Sequence, residues 1–242
     1  MTYCIGMGLE KGLVFVSDSR TNAGIDKIAR FEKMRVFENP GERVLVTLSA
    51  GNLSVTQNAL NLLDMRISKD AQTASLWNVT SMYEAARLLG DAMREVREHD
   101  EKYLREKNID STATFILGGQ IAGETPRLFL VYSEGNFIEA LNDTPYFQIG
   151  EIKYGKPILD RMINRHSSLA EGVKCALISF DATIRSNLSV GAPIDLLVYR
   201  ADSLRVETRE RLMDDDPYLA QVNREWDQGL HSVFNALPEH DW

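Results

Sequence analysis

The chain has 242 residues, 44% of them hydrophobic, and carries 27 Lys and Arg against 35 Asp and Glu for a net charge of −8. That apolar share suffices to bury a core, and an acidic chain with no basic cluster argues against a nucleic-acid partner. Its two cysteines, Cys4 and Cys175, form neither a disulfide framework nor a metal ligand set.

In chain order, Tyr3 to Gly8 and Leu13 to Val16 are apolar runs around Glu10-Lys11-Gly12, which predicts a hairpin at the start of the chain. Two further β runs, Met34 to Phe37 and Val44 to Leu48, flank the turn Asn39-Pro40-Gly41, so that four strands are expected before any helix. After Gly51 the period changes: Thr56, Ala59, Leu60, Leu63 and Ile67 share one helical face. A second helix, Ser81 to Asn108, opens with the capping-box pattern Ser81/Glu84 and carries Met82, Ala85, Ala86, Leu89, Met93 and Val96 at helical spacing. Its far end, rich in both charges, reads as a solvated face.

Strands are expected again at Thr112 to Leu117, Arg127 to Ser133 and Phe137 to Ala140, then helices around Lys156 to Asn164 and Leu169 to Ile184. Strands at Ile194 to Tyr199 and Leu204 to Leu212 precede a last helix that opens with Asp216-Pro217 and carries apolar residues from Leu219 to Leu237. Blocks of strands between pairs of helices predict stacked antiparallel sheets covered by helices, an α+β fold, in one domain over 1–242.

The four histidines are scattered without metal-ligand spacing, no phosphate-binding Gly-rich loop appears, and Asp214-Asp215-Asp216 reads as a helix cap. No metal or organic cofactor is called for. Both cysteines read as buried small hydrophobes in a reducing compartment. There is no signal-peptide pattern and no apolar run near the roughly 18 residues of a membrane span, so the expected location is the cytoplasm, with no membrane partner.

Chemistry concentrates near the start: Thr2, then Ser17-Asp18-Ser19-Arg20, Asn22-Ala23-Gly24 and Lys33. Removal of Met1 leaves an α-amino group on the residue that carries a hydroxyl. An α-amine has a reference pKa of about 7.7–8.0 and accepts a proton near neutrality. The Lys33 ammonium lowers the hydroxyl and amine pKa values, and the Asp18 carboxylate holds that ammonium in place.

With Thr2, Asp18, Arg20, Gly24 and Lys33 in register, the chain resembles proteasome β subunits of the N-terminal-nucleophile (Ntn) hydrolases. The likeness runs from residue 2 to about residue 51 and continues more weakly through Phe147 to Gly150 and Val190 to Tyr199. Among such groups the chain looks closest to the bacterial ancestral β-subunit family, Anbu, whose members start with Met-Thr. The resemblance implies a four-layer αββα sandwich with Thr2 at the mouth of a cleft between the central sheets. It implies Thr2 as nucleophile, Asp18 and Lys33 as its partners, and an oxyanion-hole N–H from Ala50, with Gly51 as the alternative. Arg20, Glu151, Asn187 and Ser189 are expected as supporting residues, and Thr21 and Ala50 beside the specificity pocket.

Three departures from the family pattern stand out. Lys33 lies one residue nearer to Gly24 than usual. Glu151 occupies the place of a Ser that supports the terminal amine, where a carboxylate raises the amine pKa unless it points away. Asn187 and Ser189 stand in a segment where the family has an Asp and a Ser, and Asn187 cannot supply the charge. The favoured reading is a threonine-type peptidase acting on a peptide or unfolded-protein substrate within a ring or helical homo-oligomer. Its alternatives are a catalytically silent scaffold subunit and an Ntn amidase or acyltransferase for small amides.

Overall fold

The computed structural model describes residues 1–22, 28–70 and 72–242, with the side chains of 21, 22, 28–30 and 69 left aside. Gly24 lies outside the described residues. The expected hairpin is formed by Tyr3–Leu9 (β1) and Gly12–Asp18 (β2), paired antiparallel. Both strands are buried on both faces. Tyr3, Ile5, Met7, Val14 and Val16 point into one apolar cluster, while Cys4, Leu13 and Phe15 point into another. A strand apolar on both sides needs cover on both sides, and this one pattern already dictates more than two layers.

The order continues with the short strands Arg20–Asn22 (β3) and Ile28–Arg30 (β4), then Met34–Asn39 (β5) and Arg43–Gly51 (β6). Helices Leu53–Lys69 (α1) and Met82–Glu106 (α2) come next, followed by Ala113–Ile121 (β7), Arg127–Val131 (β8), Phe137–Glu139 (β9) and Tyr146–Gly150 (β10). Helices Lys156–Met162 (α3) and Leu169–Ser186 (α4), strands Ile194–Arg200 (β11) and Thr208–Leu212 (β12), and helix Pro217–Asn235 (α5) complete the chain.

Two antiparallel five-stranded sheets result, in the orders β10-β1-β2-β11-β12 and β5-β6-β7-β8-β9, with β3 and β4 as a separate ribbon. One apolar cluster joins residues of α1 and α2 to the second sheet and one joins α3, α4 and α5 to the first. The third, with Phe15, Leu48, Ile116, Leu197 and Tyr199, fills the space between the sheets. The sheets approach closely: a Cβ at Gly6 of β1 would lie 2.7 Å from the Ile116 side chain. This is the expected αββα sandwich of α+β class.

Several local expectations are corrected. Among the described residues six strands, not four, precede the first helix, because β3 and β4 have only three residues each and too short a pattern to read. β10 was unexpected as a strand: Gln148 interrupts its apolar run, and its amide donates to the Tyr3 hydroxyl. β12 begins at Thr208 rather than Leu204, because Asp202 and Leu204 turn the chain with φ of 64° and 44°. α2 ends at Glu106, and Asn108 leaves it with φ of 53°. Its capping box is half formed: Ser81 Oγ accepts the Glu84 N–H at 3.1 Å, but the Glu84 carboxylate turns to Thr80. The complete box belongs to α4, where Ser168 and Glu171 cap each other. Asp216 caps α5, as the acidic triplet implied, and Leu237 lies beyond that helix.

Candidate functional site

β1 is an inner strand, flanked by β10 and β2, so the start of the chain is gripped from both sides. Across β10, the Glu151 N–H donates to the Thr2 carbonyl at 2.7 Å, extending the register in which Tyr3 faces Gly150. Gly150 has φ of 86°, and a Cβ there would lie 1.9 Å from the Thr2 oxygen, so the close approach requires glycine. Across β2, the Tyr3 N–H donates to Asp18 Oδ1 at 2.9 Å. Thr2 itself is half-buried and Met1 is exposed.

Asp18 ends β2 opposite Ile194 of β11, and Ser19 beyond it is tied through N–H and Oγ to the Pro193 carbonyl at 2.9 and 2.8 Å. The same Asp18 Oδ1 accepts from Lys33 Nζ at 2.7 Å; Asp18 is fully buried and Lys33 nearly so. Lys33 Nζ also donates to the Arg20 carbonyl at 2.7 Å, and the Lys33 carbonyl accepts the Ser49 N–H of β6 at 3.0 Å. Lys33 thus hangs from the second sheet and reaches its charge across to the first. Burial pushes the Asp18 carboxyl above the usual range; the Lys33 ammonium, the Tyr3 N–H and the N-terminal ammonium pull it back down. Asp18 Oδ2 and Ser17 Oγ are buried with no hydrogen-bond partner among the described residues. Cys4 lies directly behind this pair, and burial first, then Asp18, push its thiol far up, which removes it as a nucleophile.

Ala50 and Gly51 follow Ser49 at the end of β6. Ala50 is buried, whereas Gly51 is exposed and has φ of 100°. On the far side Asn187 Nδ2 donates to Glu151 Oε2 at 3.0 Å, and Asn187 Oδ1 accepts the Ser189 N–H at 3.0 Å. Arg20 Nη1 donates to the Leu188 carbonyl at 3.1 Å, and its guanidinium packs on Gly191, where a Cβ would come within 2.5 Å. A cleft of about 420 Å³ adjoins Lys33 and Ser49 and is lined further by Phe31, Glu32, Arg35, Leu53 and Gln57.

The residues singled out in the sequence therefore meet in two connected groups: Asp18, Lys33 and the Arg20 carbonyl beside the start of β1, and Glu151, Asn187 and Ser189 across from Thr2. Thr21 has no described side chain. Sequence reasoning missed Tyr3, Pro193 and Leu188, which act through backbone atoms and leave no side-chain signal. Among the described residues no group of three or more His, Cys, Asp or Glu could hold a metal ion, and no helix is long and apolar enough to cross a membrane.

No protein-family model and no curated protein matches the chain. Solved structures do. The Anbu protein from Pseudomonas aeruginosa, described as a helical assembly of the Anbu complex, is 51% identical over 99% of this chain and 98% of its own, with a TM-score of 0.94. Anbu from Yersinia bercovieri, described as an ancestral β-subunit, is 50% identical over 99% of both chains with a TM-score of 0.93. Anbu from Hyphomicrobium sp. strain MC1 is 48% identical over the full length of both, with a TM-score of 0.92. At this identity and coverage the likeness extends beyond fold, and the chain belongs to the Anbu family, the ancestral β-subunits of the proteasome-like Ntn group.

Proposed function

We propose that the chain is a threonine-type peptidase subunit that hydrolyses peptide bonds through Thr2 once Met1 is removed. The observation that carries this reading is the buried Lys33 ammonium, held 2.7 Å from Asp18 Oδ1, with the Tyr3 N–H on the same oxygen one residue after Thr2. The Asp18 carboxylate fixes the Lys33 ammonium near the start of β1, where an ammonium favours the Thr2 oxyanion. The freed α-amine takes the hydroxyl proton, the oxygen attacks the amide carbonyl, and the amine returns the proton to the leaving group. Water then hydrolyses the ester left on Thr2.

For the oxyanion we favour the Gly51 N–H over that of Ala50. Successive N–H groups alternate along a strand. The Ser49 N–H turns to Lys33 and the Asn52 N–H to Thr112, so the Gly51 N–H faces the edge that β5 has already left. The cleft beyond Lys33, with Glu32 and Arg35 among its walls, then receives a substrate side chain. The reading takes 1–242 as one domain, acting in the cytoplasm on peptide or unfolded protein, without nucleic acid, membrane or cofactor. Self-association into a ring or helix is supported by the helical assembly described for the Pseudomonas aeruginosa relative.

Intact mass before and after incubation with a peptide epoxyketone, which closes a ring on both the hydroxyl and the amine of an N-terminal Thr, tests the proposal. The expected result is a chain without Met1 that gains one adduct, with none on Thr2→Ala. Retained Met1 and no adduct would favour a scaffold subunit. Cleavage of small amides but not peptides would favour an amidase.

A further inference from the structure

Glu151 is only 6% exposed, and among the described residues no Lys, Arg or His nitrogen lies within 4 Å of its carboxylate oxygens. A buried carboxylate is costly without a positive partner. What it does have is one oriented donor. Asn187 presents its NH2 to Glu151 Oε2 because its own oxygen is engaged by the Ser189 N–H. Flipping that amide would lose both bonds. Glu151 also stands directly opposite Thr2, its N–H on the Thr2 carbonyl.

We infer that Glu151, oriented by Asn187, is a positioning residue that binds the α-ammonium of Thr2 after Met1 leaves and so sets the pH at which that amine becomes a base. The inference rests on Thr2 becoming the first residue of the chain. Asp18 at the end of β2 adds to the hold on the ammonium. Lys33 before β5 opposes it, as does Arg20 of β3, whose guanidinium is held away on the 188–191 loop. Glu151 is the carboxylate in this set with no cation of its own, and its charge goes to the amine. Reaction at Thr2 then rises with pH over a range higher than that of a free α-amine of pKa about 7.7–8.0.

The test uses the full chain with Met1 removed, confirmed by mass, and reads the pKa of the Thr2 α-amine from the pH dependence of trace acetylation at that residue. Wild type, Glu151→Gln, Asn187→Ala and the double variant Glu151→Gln/Asn187→Asp are compared, each checked for a native melting temperature. Removing the carboxylate is expected to lower the amine pKa by roughly one unit, a tenfold gain in free amine below it. Asn187→Ala moves it part of the way. The double variant, which transfers the charge to the other side of the same hydrogen bond, recovers at least half of the shift. An unchanged amine pKa in folded Glu151→Gln, or a double variant no different from the single, overturns the inference. Because acetylation needs no turnover, the expected shifts with no epoxyketone adduct on wild type would remove the peptidase proposal and leave this one standing. An adduct with no shift does the reverse.

Discussion

The space between the two sheets holds a polar cluster at each end of β2, and the two are built on opposite terms. Near Gly12, Gln120 of β7 is buried and uses all of its hydrogen-bonding capacity. Its oxygen accepts from the Tyr199 hydroxyl at 2.6 Å and the Asp202 N–H at 2.9 Å, and its NH2 donates to Asp202 Oδ1 and the Glu124 carbonyl, both at 2.7 Å. At the other end Asp18 has one oxygen shared by two donors and one with none, and the Ser17 hydroxyl is unpaired among the described residues. A saturated network fixes the sheets to one another, whereas an unsaturated one stores interaction capacity for a reacting group. Both clusters are buried; satisfaction, not burial, separates a structural bridge from a candidate reactive site.

This contrast can be broken by substitution. The largest effect is expected from Lys33→Met, which leaves the Asp18 charge buried without its cation: a loss of about 3–5 kcal/mol of stability together with all epoxyketone reactivity. Urea unfolding at fixed protomer concentration reads the first, and intact mass the second. Adding Asp18→Asn to it should restore most of the stability and none of the reactivity. At the saturated end, Tyr199→Phe deprives Gln120 of a donor and the Leu204 N–H of its acceptor. That change is expected to cost about 1–2 kcal/mol with reactivity at Thr2 unaltered. The smallest effect is expected from Ser17→Ala, which removes a buried hydroxyl with no partner among the described residues and should leave stability unchanged or raise it by up to about 1 kcal/mol. A loss from Ser17→Ala as large as that from Tyr199→Phe would refute the comparison.

The sequence made the larger elements legible because they carry long periodic patterns: α2 and α4 through their apolar faces, β1 and β2 through doubly apolar runs. β3, β4 and β10 escaped because three- to five-residue strands, one of them interrupted by Gln148, offer too few positions for alternation to register. Thr2, Asp18 and Lys33 were readable as residue types in register. What was not readable was partnership. The pairing of Asn187 with Glu151 joins the end of α4 to the end of β10, and neither side chain alone announces the other. The choice between Ala50 and Gly51 depends on which way an N–H points, which follows from the Ser49–Lys33 and Asn52–Thr112 bonds rather than from composition.

That β1 lies between β10 and β2 has a further consequence for the order of events during synthesis. β2 follows β1 at once, but the other neighbour of β1, β10, ends at Gly150, and Asp18 gains its facing strand only with β11 at Ile194–Arg200. Contacts this distant in sequence form late. A growing chain therefore carries Thr2 before β10 and β11 exist, and the topology that holds β1 between its neighbours delays assembly of the proposed site until β11 has been made.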